Sequence, residues 1–204
     1  TEFGVRWFAF TAEEGFFLNG EHYDILGANV HQDHAGWSDA VTHTGIQRDI
    51  RMIKECGMNF IRGSHYPHHT YFAQECDRQG VLFWSENCCW GTGGPTQEGY
   101  WPASFYPVHQ EDEDEFEESC FRSLTEMIRA NRNHPSIIVW SMCNEPFFTD
   151  GTTFVKMRDL LRRLVDASHQ LDPTRPAAIG GAQRGGIDVI GDLAGYNGDG
   201  AAIY

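Results

Sequence analysis

The stretch that most constrains this chain is Ser136-Ile137-Ile138-Val139-Trp140-Ser141-Met142-Cys143-Asn144-Glu145-Pro146. Ile137 to Cys143 is an apolar, partly β-branched run of the length of a strand buried on both faces, as in a parallel sheet. Pro146 stops its simple continuation. A parallel strand needs a crossover connection, most often a helix, to reach its neighbour. A carboxylate at the carboxyl end of such a strand stands where α/β barrels keep their chemistry.

The rest of the chain supplies those crossovers. Residues 3–10 read as a strand, and Asn19-Gly20 is a tight hairpin signal. Ile25 to Val30 reads as a short strand. Ile46, Ile50 and Ile53 mark a helix ending at Gly57. Met58 to Arg62 is the next strand, a helix covers about 69–79 and stops at Gly80, and Val81 to Ser85 is a strand closed by Glu86. Residues 87–108 are rich in Gly, Pro and aromatics and read as a long loop. The acidic run Glu111 to Glu118 opens a helix whose dipole it complements. Phe154, Met157, Leu160, Leu161, Leu164 and Val165 define one more helix, followed by strands at Ala177 to Gly180 and Leu193 to Asn197. Strands alternating with helices imply right-handed parallel units. About six barrel-type strands are legible, two short of a closed eight-stranded barrel.

Composition removes several functions. The net charge of -14 disfavours nucleic acid and anionic membrane surfaces. No apolar run approaches the ~20 residues of a membrane span. The six cysteines form no CxxC pair and read as buried free thiols. His31, His34, His65, His68 and His69 lack the spacing of a metal-ligand motif, so neither metal nor cofactor is expected.

Polar residues close several strands: His31 with Asp33 and His34; Arg62 with His65; Glu86; Asn144 with Glu145; Tyr196 with Asn197. Carboxylates accompanied by His, Asn, Arg and aromatics suit glycoside hydrolysis. No GxSxG elbow, P-loop or dinucleotide fingerprint offers another chemistry.

Phe17-Leu18-Asn19-Gly20, Gly27-Ala28-Asn29-Val30-His31-Gln32-Asp33-His34, Arg62-Gly63-Ser64-His65-Tyr66-Pro67, and Asn131-Arg132-Asn133-His134-Pro135-Ser136 through Asn144-Glu145 resemble the catalytic domain of glycoside hydrolase family 2. That family includes β-galactosidases, β-glucuronidases and β-mannosidases. The resemblance covers about residues 3–200. It implies a (β/α)8 TIM barrel, here represented by about strands 1–6, a β-glycoside substrate and a retaining mechanism. Residues 1–15 would be the last strand and linker of a preceding β-sandwich, and 16–204 the partial barrel. Glu145 matches the general acid/base and Asn144 the residue that holds the sugar 2-hydroxyl. Arg62 matches the arginine supporting the nucleophile carboxylate. His31 and His65 match substrate-facing histidines, and Tyr196 and Asn197 complete the substrate-binding set. His134, just before the strand, is expected to be structural.

Two departures qualify the match. The family nucleophile is a Glu after the seventh strand, and after Glu145 this sequence has no other Glu. The isolated chain is therefore expected to be inactive, with the nucleophile beyond its C-terminus. Glu86-Asn87-Cys88 also lacks the Glu-x-His of magnesium-dependent relatives. The alternatives are a non-catalytic carbohydrate-binding remnant of the same fold, or a metal hydrolase using the histidines. An open barrel exposes strand edges, so pairing with a second copy or with further chain is expected. The absence of a basic loop pair speaks against a uronic-acid sugar, whose carboxylate attracts Lys or Arg.

Overall fold

The computed structural model describes residues 3–89 and 104–198, so most of the expected long loop lies outside the described residues. An antiparallel sheet of β1 (Phe8–Thr11), β2 (Gly15–Leu18) and β3 (Glu21–His22) opens the chain. A parallel sheet follows in chain order: β4 (Gly27–His31), β5 (Phe60–Ser64), β6 (Leu82–Glu86), β7 (Ile137–Asn144), β8 (Ala177–Gly180) and β9 (Leu193–Ala194). Helices α1 (His43–Glu55), α2 (Thr70–Gln79), α3 (Glu113–Asn131) and α4 (Phe154–Leu171) fill the four connections from β4 to β8. Strand order that follows chain order, with helical crossovers, is barrel topology, and six strands make a partial barrel. The chain divides into two compact units. One comprises Thr1–Ser64, His68–Ser85 and Ala130–Ile138, the other His65–Pro67, Glu86–Arg129 and Val139–Tyr204.

In the first unit, Asn19 and Gly20 both take positive φ, and Leu18 pairs with Glu21. That is the tight turn expected from Asn-Gly. The opening strand is shorter than the expected 3–10. Before Phe8, Trp7 still pairs with Asn19, accepting from its backbone N at 2.9 Å and donating to its Oδ1 at 3.1 Å, and Arg6 anchors the chain by donating to Pro135 O and Ile137 O, each at 2.9 Å. The strand expected at Ile25 begins only at Gly27, because Asn59 captures the preceding backbone. Its Oδ1 accepts from Leu26 N and its Nδ2 donates to Asp24 O. Thr42 caps α1 through Gly45 N, and left-handed Gly80 ends α2 where the sequence predicts its stop. Ile46, Ile50, Ile61, Phe72, Cys76 and Phe83 form the buried apolar centre.

All eight residues of β7, of which Val139 to Asn144 belong to the second unit, are buried, as the apolar run requires. Met157, Leu160, Leu161, Leu164 and Val165 bury one face of α4. At the near end of β7, Trp140 Nε1 donates to Asp172 Oδ2 at 2.9 Å, and Arg175 Nη1 donates to the same oxygen at 2.5 Å. Thr174 donates to Oδ1 from both its backbone N and its hydroxyl. Burial pushes the Asp172 carboxyl up, but these donors outweigh it and hold the group below its ordinary value. The strand expected over Leu193 to Asn197 keeps only Leu193 and Ala194. Beyond them the chain is held by Gly195 N to Ile179 O and Ala182 N to Gly195 O, and it turns at Gly198 with φ +49.

Candidate active site

The far end of β7 is built to hold a carboxylate in a demanding conformation. Ser141 pairs with Ala178 and Asn144 with Gly180, so β7 carries one residue more than β8 over that span. Such a bulge re-aims the side chains that follow it. Glu145 comes next, with φ +50. A non-glycine residue there costs on the order of 1–3 kcal/mol and persists only when its surroundings enforce it. Three contacts do so. Glu145 N donates to Gly180 O at 2.8 Å, Glu145 O accepts from Phe148 N at 3.1 Å, and Asn197 Nδ2 donates to Oε1 at 3.0 Å. Gly181 makes room: a Cβ there would stand 2.5 Å from Glu145 Cγ.

Asn197 also fixes Asn144. Its Nδ2 donates to Asn144 Oδ1 at 2.9 Å, so one amide nitrogen serves both β7-end acceptors. Asn197 is itself clamped by Gln183, which accepts from Asn197 N at 3.2 Å and donates to Asn197 O at 3.1 Å. Among the described residues, Glu145 Oε2 has no hydrogen-bond partner.

A second carboxylate closes β6. Glu86 is fully buried; its Oε2 accepts from Ser141 Oγ at 2.8 Å and its Oε1 pairs with His65 Nδ1 at 2.6 Å. Pairing and hydrogen bonding are what a buried charge requires. They also fix the orientation of the partly exposed His65 ring.

The second unit thus gathers Asn144, Glu145 and Asn197, and separately joins His65 to Glu86. The Tyr196 hydroxyl lies 3.4 Å from Asp188 Oδ2. In the first unit His31 and Arg62 belong to neighbouring strands, with His31 opposite Ser64 and Asn29 opposite Arg62. The Arg62 guanidinium lies 5.8 Å from the Trp84 ring centre. The other histidines do local structural work. His34 pairs with Asp49 at 2.6 Å, His68 Nε2 lies 2.9 Å from Val30 O, and His69 caps α2. His134 pairs with Asp77, which also accepts from Ser136 N. Among the described residues no three His, Cys, Asp or Glu stand together as a metal site.

Sequence reasoning did not single out Gln183 or Gly181, and left Glu86 out of the binding set. Glu86 carried the same signal as Glu145, a carboxylate closing an apolar strand. Nothing local marks Gln183, whose partner lies 14 residues away.

Parallel strands linked by helices, with a carboxylate and amides at a strand end, define an α/β-barrel enzyme scaffold. The pattern of "Glycosyl hydrolases family 2, TIM barrel domain" matches residues 10–193, and the chain belongs to that family. A putative β-glucuronidase of Formosa agariphila is 37% identical over 180 residues, 86% of this chain and 20% of its own length. A β-galactosidase of Enterobacter cloacae is 31% identical over 175 residues, 85% of this chain and 15% of its own. The structure of Bacteroides uniformis β-glucuronidase 3 superposes with TM-score 0.77 at 35% identity, covering 94% of this chain and 23% of that one. The chain therefore spans less than a quarter of these relatives.

Proposed function

We infer that this chain supplies the acid/base half of a retaining β-glycosidase. The observation that carries the reading is Glu145 itself. It is a half-buried carboxylate held at positive φ at the end of β7, with one oxygen fixed by Asn197 and the other unpartnered among the described residues. Protonated, Glu145 donates to the departing glycosidic oxygen. Ionised, it takes a proton from the water that releases the sugar. Asn144, oriented by Asn197, meets the sugar beside the reacting bond. His31, Arg62, His65 and Tyr196 join the substrate-binding set through the family resemblance.

The second carboxylate, a Glu about 5–5.5 Å from Glu145, comes from outside these 204 residues. This reading is supported by the absence of Glu after position 145 and by the small share of the relatives that the chain spans. Curated relatives act, by name, on both glucuronides and galactosides, so an aryl β-glucuronide and an aryl β-galactoside are the substrates to try.

The test uses the longest natural protein carrying this segment. Glu145→Gln should slow hydrolysis of glycosides with poor leaving groups about 10²–10⁴-fold, and of activated ones far less. Equal losses for both would reject the acid role. Sugar binding without turnover in the wild type would favour a carbohydrate-binding remnant.

A further inference from the structure

Behind the strand end that carries Asn144, two buried thiols face each other. Cys89 Sγ and Cys120 Sγ are 3.4 Å apart, one just after β6 and the other on the inward face of α3. Backbone and amide contacts hold the approach. Asn87 N donates to Ser141 O at 2.9 Å, and Asn87 Nδ2 donates to Cys120 O at 3.2 Å. Asn144 N donates to Cys89 O at 3.2 Å, so the residue beside Glu145 rests on this segment. A disulfide needs sulfurs about 2.05 Å apart, so the two must approach by about 1.4 Å.

We propose that Cys89 and Cys120 form an oxidisable dithiol, closed by a peroxide, whose state reaches Asn144 through the Cys89 carbonyl. Two S–H bonds break and one S–S bond forms. The two electrons and two protons released reduce one hydrogen peroxide to two waters. Burial pushes the Cys89 thiol up, with the neighbouring Cys120 adding to the rise, so Cys89 reacts slowly at neutral pH. A small neutral oxidant suits a buried pair better than a bulky disulfide. The neighbouring Cys88, in contrast, is exposed. The proposal does not rest on the glycosidase reading, and its test reads mass rather than turnover.

The 204-residue protein is treated with hydrogen peroxide while folded, then unfolded, alkylated and mapped without reduction. The expected product is one cross-link joining the Cys89 and Cys120 peptides, about 2 Da lighter than the separate thiols and reversed by dithiothreitol. Closing a link across 31 positions should also raise the melting temperature by about 5–10 °C. Cys120→Ala and, independently, Cys89→Ala should remove the link, while Cys143→Ala should keep it. Amide exchange at Asn144 should slow in the oxidised protein. Full alkylation of both thiols after peroxide, or a link through Cys88 in place of Cys89, would overturn the pairing. Unchanged exchange at Asn144 would overturn the transmission.

Discussion

Two carboxylates stand at opposite ends of the β7 region, and the chain treats them differently. Asp172, at the near end, is 5% exposed and takes hydrogen bonds from Trp140, Arg175 and twice from Thr174. The Arg175 guanidinium also lies 5.4 Å from the Trp140 ring centre. Glu145, at the far end, has one side-chain donor among the described residues and a backbone that other residues force into the left-handed region. A saturated carboxylate can only stabilise. One with an oxygen to spare, held under strain, is what the proposed acid/base role of Glu145 needs.

The largest effect should come from breaking the saturated end. Asp172→Ala removes the carboxylate of a buried ion pair with Arg175 and the acceptor of Trp140 and Thr174, and should cost about 3–5 kcal/mol of stability in urea unfolding. The wild type should show the matching acid dependence. Asp172 is held below the ordinary 3.8, so its contribution is full above about pH 4 and is lost as pH falls through the folded value. Asp172→Asn should flatten that acid limb. An unchanged limb would mean that other carboxylates govern acid unfolding.

The two ends also differ in how far the sequence discloses them. The apolar run announces β7, and Gly57 and Gly80 announce the ends of α1 and α2, because these are local rules of periodicity and capping. The family motifs point to Asn144 and Glu145. What stays hidden is how Glu145 is held. The Asn197 bridge spans 52 and 53 positions, and it depends on a bulge between β7 and β8 that no residue pattern encodes. The Glu86–His65 pair is equally non-local, at 21 positions. The same limit shortened two strands. Asn59 intercepts the backbone at Leu26, and the turn at Gly198 follows the early end of β9. Residues 104–106 sit in the expected loop yet are buried, with Phe105 N donating to Phe148 O at 2.7 Å.

A smaller effect should follow from crowding the strained end. Gly181 has φ +66, and a methyl there meets Glu145 Cγ. Gly181→Ala should cost about 2 kcal/mol from the left-handed backbone and displace Glu145 as well. In the longer protein it should lower turnover more than substrate affinity. If stability falls while turnover holds, Gly181 serves the fold alone and Glu145 does not depend on its shape.

The smallest effect has the opposite sign and bears most directly on the contrast. Glu145→Gly removes the side chain that makes φ +50 costly, and with it one hydrogen bond from Asn197. Relief of left-handed strain contributes about 1–2 kcal/mol, while the added chain entropy of glycine and the lost hydrogen bond offset much of it. A net gain of roughly 0.5 kcal/mol is expected in urea unfolding of the 204-residue chain. Asp172→Ala and Glu145→Gly would then move stability in opposite directions from the two ends of one strand region. If Glu145→Gly instead destabilises by about 1 kcal/mol or more, the side chain's hydrogen bond from Asn197 and its packing outweigh the backbone cost. Glu145 would then be a second structural carboxylate, and the reason to assign it the proton transfer would be lost.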